Sequence, residues 1–583
     1  MSKEISENKS IFYQNLQRAI KEKIVLFDEE KQKITYLAAE EKSYNYKDPE
    51  EKVRASYFAE LVLDYGYNLD RIKLEVKVPR RTPSDLADIA VYEKEDKNCS
   101  GEPFIIIECK RDGITDAEFS QAIEQLFGNC NSLKAKYGAL IAGNTRKAFN
   151  IQKFPATERE KNVIADIPVK YGKEPKYKFV KGEQGKGLKK VSRDELIRSL
   201  EKCHQTVWQG GKLAPTVAFD EVSKLLFCKL WEEKKTKKGE PYKFQVGTYE
   251  TPDDVFKRVD EIYREAKKTD EKVFQEDIRL PSKIVYNVVE HLQDLAIGEI
   301  DLDTKGIAFE RFMEDFFKGK MGQFFTPREV IKFAVKMMDI KDTNTVLDPA
   351  CGSGGFLLNA MDVIRKDAEE NYSPLEAYKT WHDFASKRLF GIEINEQIAR
   401  VCKMNMIIHD DGHTNVISTD ALDDFKDIAK SSLEFKANSF DFILTNPPFG
   451  ATVKETEILF IERCIEFLKP KTGKMAIILP DGILTNSSLQ YVRDFLMEKC
   501  QILAVVSIPS FAFSHYGAGV KSSVVFVRRL GKEEKTKNYP IFMAIADKIG
   551  YEATGREIKE NDFDLIIEEF KKFETSPNNY KGV

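Results

Sequence analysis

No run of eighteen apolar residues occurs in this 583-residue chain, so no membrane span is expected. The opening, MSKEISENKS, lacks the apolar core of a signal peptide. Nine cysteines, an odd number with no CxxC pair, argue against a disulfide frame or zinc site and for reduced thiols in the cytoplasm. GxxxxGK followed by Ser or Thr is also missing, which excludes an ATP-driven motor of that type from this sequence. Nor is there an excess of positive charge. Lys and Arg number 91 against 95 Asp and Glu, a net charge of −4. If nucleic acid is a ligand, the positive charge that meets it must be local or come from a partner. What remains, 42% hydrophobic and 32% charged, describes soluble globular material, and the length sets a prior of about two to four domains.

The chain is organised around Thr345 to Leu358, TVLDPACGSGGFLL. An apolar run (Val346, Leu347) enters Asp348 and Pro349, and a small-residue turn, Cys351-Gly352-Ser353-Gly354-Gly355, precedes an apolar, helical stretch. That is a strand, a glycine-rich turn and a helix, the opening of a nucleotide-type α/β fold. Glycine leaves the backbone open to a ligand and tolerates φ > 0. About a hundred residues on, a second strand-like run, Phe440 to Thr445, leads into Asn446-Pro447-Pro448-Phe449.

With Gly322-Gln323-Phe324-Phe325-Thr326-Pro327 just before the first strand, these motifs resemble the S-adenosylmethionine-dependent amino-methyltransferases that act on DNA adenine. The closer likeness is to the modification subunit of type I restriction systems, and the motif order is that of the gamma group. The resemblance covers roughly the last half of the chain. It implies a Rossmann-like methyltransferase domain with S-adenosylmethionine touching Thr326, Pro327, Asp348, Ala350, Gly352, Gly354, Glu393, Asp420 and Asn446. Glu393 ends a second strand, where an acid meets ribose hydroxyls, and Asp420 ends a third, near the adenine ring. Catalysis is expected at Asn446, Pro447, Pro448 and Phe449. An adenine amino nitrogen is a poor nucleophile because its lone pair is delocalised. The Asn446 oxygen and the Pro447 carbonyl accept its hydrogens and draw it toward tetrahedral geometry; the two prolines stiffen the loop. Phe449 stacks on a base turned out of the duplex. The Pro-Cys dipeptide of cytosine C5 chemistry is absent. His409 and His413 lie four apart without an evident third ligand, and read as a helix end with surface polar residues.

Earlier in the chain, the first forty residues read as helical and charged. Ala55–Tyr67 reads as a helix, followed by strands at Ile72–Val78, Leu86–Val91 and Phe104–Cys109. Asp88 lies on one strand, while Glu108 and Lys110, two apart, share one face of the next. Two carboxylates with water suit Mg²⁺, and a lysine beside them can stabilise charge developing on a phosphate. The pattern resembles the PD-(D/E)xK nuclease fold at the N-terminus of type I restriction subunits, in which Glu60 and Gln125 become further site residues. The tyrosine that often comes four positions after that glutamine is missing; position 129 is Asn.

The expected architecture is α/β: a restriction-endonuclease-like domain over 1–165, a basic linker over 166–192, a helical domain over 193–318 and the methyltransferase domain over 319–583. The leading function is site-specific DNA adenine methylation within a restriction system, with Mg²⁺-dependent cleavage in the first domain, as in type IIB enzymes that cut and methylate with one chain. About fifty residues lie beyond Val527, too few for paired recognition modules. A specificity subunit is therefore expected to read double-stranded DNA, with a second copy of this chain and a separate restriction subunit as further partners. Two rival readings remain: a methyltransferase of RNA or protein glutamine, and a subunit that binds cofactor only to assemble a complex.

Overall fold

The computed structural model describes the chain except residues 1–10, 80–84, 144, 184, 209–212, 214, 269–275, 301–303, 307, 310–311, 313–325, 410–414, 449–455, 515–518, 536–537, 581 and 583. It divides into two compact units. The first comprises Met1–Lys190, Trp231–Ile262 and Leu280–Gly298; the second comprises Val191–Leu230, Tyr263–Arg279 and Glu299–Val583. The helical block expected over 193–318 is thus shared between the two.

In the first unit, a helix at Ile11–Lys21 leads into three antiparallel strands, β1 (Val25–Asp28), β2 (Lys33–Leu37) and β3 (Glu41–Asn45). The first forty residues are therefore only partly helical. In KITYL the apolar residues alternate, and Ile34 and Tyr36 go inward while their neighbours stay at the surface. A six-stranded sheet comes next, in spatial order β4 (Ile72–Lys77), β5 (Leu86–Tyr92), β6 (Pro103–Lys110), β7 (Tyr137–Ala142), β8 (Thr145–Asn150), β9 (Val163–Ile164). Only the β6–β7 pair is parallel, and the helix Asp116–Leu133 makes that crossover. Thr115 and Glu118 start this helix with a reciprocal capping box. The helix Pro49–Leu63 covers the face that holds Ile105, Ile107 and Cys109, and Ile106 packs toward Leu126 and Cys130 on the opposite face. A strand buried on both sides explains why β6 reads as a continuous apolar run. The basic stretch read as a linker is tied down within this unit. Ile167, Phe179 and Val180 are buried, and the Gln245 side chain accepts from the backbone N–H groups of Lys178 and Phe179.

The second unit is built on an eight-stranded sheet. Its elements are β10 (Val346–Asp348), β11 (Leu389–Glu393), β12 (Asn415–Ser418), β13 (Phe442–Thr445), β14 (Lys474–Pro480), β15 (Cys500–Ser507), β16 (Ser522–Arg529) and β17 (Phe542–Ile545). Their spatial order is β12-β11-β10-β13-β14-β16-β15-β17. The first five run parallel, and β16 lies antiparallel between β14 and β15. Val346 packs into one core with the helices Arg328–Met337 and Gly355–Asn371; Leu347 packs into the other with Thr456–Phe467. Helices on both faces of a mostly parallel sheet define a doubly wound α/β domain. In the same unit, Asp220 on the helix Pro215–Lys235 pairs with Arg400 on the helix Glu396–Ile408 at 2.7 Å. The buried Lys224 is held by Glu221 at 2.6 Å.

Candidate active site

Because β10, β11, β12 and β13 are parallel and adjacent, their carboxyl ends all emerge at one edge of the sheet. Asp348 ends β10, Glu393 ends β11, Asp420 comes just after β12 and Asn446 just after β13. The chain passes from β10 outward through β11 and β12, then returns to pair β13 on the other side of β10. That reversal opens a crevice at the carboxyl ends of the strands, where α/β sheets bind ligands.

The glycine turn is shaped by its backbone. Gly352 has φ +52° and Gly354 has φ +88°. A Cβ on Gly354 would come within 2.8 Å of the Cys402 Sγ, while the space over Gly352 is open. The Gly352 N–H donates to Glu393 Oε2 at 3.1 Å and the Asn395 N–H to Oε1 at 2.9 Å. Glu393 is only 7% exposed, and burial raises its carboxyl above the ordinary range. Asp348, 1% exposed, is pushed up to about 7, first by burial and also by the Glu393 charge; the Thr445 hydroxyl and the Ala350 N–H, at 3.1 Å, act the other way. From the helix Glu396–Ile408, Asn405 Nδ2 donates to the Ser353 carbonyl at 3.0 Å and steadies the turn. Asp420 is half-buried, and its Oδ1 accepts from the Leu422 N–H at 2.9 Å. Ile394, next after Glu393, has 66% of its surface exposed. Sequence reasoning misses this apolar residue left open beside a buried acid, although the Ile-Glu-Ile run of Ile392–Ile394 contains it. An open glycine turn, acids with acceptor capacity and an apolar flank fit an adenosine-bearing cofactor.

Asn446 begins where β13 stops. Its Nδ2 donates to Thr326 Oγ1 at 2.9 Å, and its Oδ1 is buried with no partner among the described residues. A buried acceptor without a donor costs about 1–3 kcal/mol, and an incoming amino group would relieve that cost. Pro447 is buried and Pro448 exposed. Pro327 caps the helix Arg328–Met337. Phe449 and Gly322–Phe325 lie outside the described residues, as does His413. His409 closes the helix Glu396–Ile408, its Nδ1 2.7 Å from the Asn405 carbonyl. Burial pushes its pKa down to about 4, so it is more enclosed than a surface polar residue.

The first unit holds a separate acidic cluster. Ile89 pairs with Ile107, which brings Asp88 beside Glu108. Asp88 Oδ2 accepts from the Cys109 N–H at 2.7 Å, and its Oδ1 lies 3.8 Å from the Arg54 guanidinium. Burial raises both acids. Glu108 reaches about 8, with Asp88 as the next cause. Two carboxylates raised by burial, with the Asp88 charge also raising Glu108, make a site that a divalent cation would neutralise. Among the described residues no group of three or more His, Cys, Asp or Glu forms a metal site, so water would complete a Mg²⁺ shell here. Asn129, fully buried, donates to Glu108 Oε1 at 2.6 Å. Gln125 is turned to Asp85, at 3.3 Å. Glu60 does not join the cluster. Both its oxygens accept from Arg146, at 2.5 and 2.9 Å, and Asn15 donates to it at 3.0 Å. The acid that this helix brings close is Glu50, 4.0 Å from Lys110.

Fold and site together define a doubly wound α/β domain with a ligand-binding crevice at its strand ends, and, in the other unit, a mixed sheet that carries a pair of acids raised by burial. Residues 301–582 match the family described as N-6 DNA Methylase, and residues 49–168 match the Type I restriction enzyme R protein N terminus. The two matches fall on separate stretches of the chain, and each covers less than half of it. Its relatives include the type I restriction enzyme EcoEI methylase subunit of Escherichia coli, 30% identical over 40% of this chain and 48% of the relative. The EcoKI methylase subunit of Escherichia coli strain K12 is 28% identical over 36% and 40%. The type II restriction enzyme and methyltransferase RM.BcgI of Heyndrickxia coagulans is 27% identical over 37% and 33%. The chain spans about half the length, or less, of these curated relatives.

Proposed function

We propose that this chain methylates adenine N6 in DNA as the modification subunit of a restriction system, using S-adenosylmethionine. The observation that carries the reading is the Oδ1 of Asn446, buried and without a partner among the described residues, at the edge where Asp348, Glu393 and the glycine turn converge. Asp348, Ala350, Gly352, Gly354, Glu393 and Asp420 are the residues that would hold the cofactor, with Thr326 and Pro327 beside Asn446. When bound, S-adenosylmethionine supplies an electrophilic methyl group on sulfur. The protein's part is alignment. Asn446 Oδ1 and the Pro447 carbonyl accept the two amino hydrogens and turn the nitrogen lone pair out of conjugation; neither is a strong base, and the proton leaves to water from the nitrogen once methylation has made it cationic and acidic. Rigid placement by the end of β13 and by two prolines supplies the orientation. In this reading, Phe449 stacks on the extruded base.

The partners this implies are double-stranded DNA, a specificity subunit that reads the sequence, a second copy of this chain and a restriction subunit. Mapping N6-methyladenine in cells that carry the gene with its neighbours, beside Asn446→Ala, tests the reading. A motif methylated only with Asn446 intact supports it; methylation of RNA or glutamine without DNA overturns it.

The acidic cluster supports a second activity, Mg²⁺-dependent DNA cleavage. Asp88 and Glu108 would hold the ion, Lys110 would face the phosphate, and Asn129 fixes the Glu108 carboxylate. Cleavage lost in both Asp88→Ala and Lys110→Ala supports it; intact DNA with every partner and Mg²⁺ present overturns it.

A further inference from the structure

The amide of Asn446 has two faces of similar shape, a carbonyl oxygen and an NH₂ group, on a terminal torsion with broad freedom. Only the oxygen can accept from an amino group. Presented the other way round, the NH₂ would meet the target's own donors, and the site would repel what it must hold. Something has to fix this rotor. No residue adjacent in sequence donates to or accepts from the Asn446 side chain among the described residues. The contact is made instead by Thr326, 120 positions earlier, whose Oγ1 accepts from Nδ2 at 2.9 Å. Thr326 is itself fixed by Pro327, whose ring restricts the residue before it and which starts the helix Arg328–Met337. That helix is anchored by the buried Val330, Ile331, Phe333 and Ala334. A rigid helix start thus holds one end of the amide, and the other end, Oδ1, is left buried and without a partner among the described residues.

We propose that Thr326 is a positioning residue for Asn446: its hydroxyl oxygen holds the Asn446 amide so that Oδ1 faces the target amino group. This rests on the methyltransferase reading above and departs from the expectation that Thr326 serves the cofactor. The two roles separate experimentally. A cofactor contact governs affinity, and an orienting contact governs the chemical step once cofactor is saturating.

The test compares Thr326→Val, which keeps the shape and removes the acceptor, with Thr326→Ser, which keeps the acceptor. Both are made in the full chain with its partner subunits. Loss of one such hydrogen bond should lower kcat for DNA methylation by about tenfold in Thr326→Val, with the S-adenosylmethionine Kd from calorimetry within about twofold of wild type. Thr326→Ser should restore most of the rate. A readout independent of turnover is the exchange of the Asn446 side-chain NH₂ with water, in protein labelled with ¹⁵N at asparagine amides. Its signal is identified by its absence in Asn446→Ala. Protection present in wild type and in Thr326→Ser, and lost in Thr326→Val, supports the assignment. Weakened cofactor binding with an unchanged saturating kcat overturns it, as does a Thr326→Val enzyme equal to wild type in rate and exchange. If Asn446→Ala retains DNA methylation, the assignment of catalysis to Asn446 fails, and absence of methylation from wild type with every partner present is what fails the methyltransferase reading. Amide exchange would still report whether Thr326 holds Asn446.

Discussion

Replacing Asp348 by Asn should remove a pH dependence that the wild-type second unit carries. Asp348 is buried at the end of β10, and its carboxyl rises from an ordinary 3.8 to about 7. Between those values the folded chain keeps a proton that the unfolded chain has released. The group therefore favours folding fully below pH 3.8, and the contribution fades as pH rises through 7. About three pH units at about 1.4 kcal/mol each set a ceiling near 4 kcal/mol, and relaxation of the turn around the charge makes about 2 kcal/mol the expected value. Asparagine keeps an acceptor for the Ala350 N–H and carries no charge at any pH. The assay is urea unfolding of the full chain at pH 5 and pH 8, with residues 346–361 followed by mass-spectrometric labelling of backbone amides. Other titrating groups cancel in the wild-type-minus-variant difference. About two of those three units lie between pH 5 and pH 8, so relative to wild type Asp348→Asn should gain about 1 kcal/mol over that interval. An equal difference at both values would refute the reasoning.

Gly354→Ala should weaken cofactor binding and cost at least about 1–2 kcal/mol, because φ +88° and the nearby Cys402 sulfur both oppose a Cβ; calorimetry and thermal unfolding check this. Arg400→Ala leaves the buried Asp220 with Lys224, at 3.4 Å, as its cationic partner and should cost about 1–2 kcal/mol, with Asp220→Asn in the same chain recovering part of it. Thr115→Ala removes the reciprocal cap of the helix that carries Gln125 and Asn129 and should cost about 1 kcal/mol, visible as faster amide exchange at its first turn. No change in that exchange would count against the capping role.

Much of the second unit is legible in the sequence because its signals are local. Strand, glycine turn and helix succeed one another within Val346–Asn371, and the conformations of Gly352 and Gly354 are ones glycine adopts readily. The carboxylates of β5 and β6 are legible from period two alone. The acid contributed by the helix Pro49–Leu63 is not. Both Glu50 and Glu60 are on it, and which one meets Lys110 depends on how the helix docks and on Arg146, a residue of β8 far along the chain. Asn129 reads in the sequence only as a missing tyrosine, although its place four residues after Gln125 puts it on the same helical face. The basic stretch 166–192 looks solvated because its few apolar residues are isolated in sequence. Phe179 and Val180 are held from about sixty residues away, Phe179 by the Gln245 side chain and Val180 by its bridge to Pro241.

The order of strands around β10 also has a consequence for synthesis. β10 has only three residues, and one of its two neighbours, β13, is translated nearly a hundred residues after it. Until Phe442–Thr445 emerges, the nascent chain holds β10, β11 and β12 with one flank of β10 unpaired, an edge open to wrong partners. Closure of that flank and arrival of Asn446 are one event, since Asn446 is the next residue after β13. A ribosome paused before that point carries the glycine turn, Asp348 and Glu393 but not the Asn446 amide. The chain completes the crevice at the carboxyl ends of its strands and loses its exposed strand edge together.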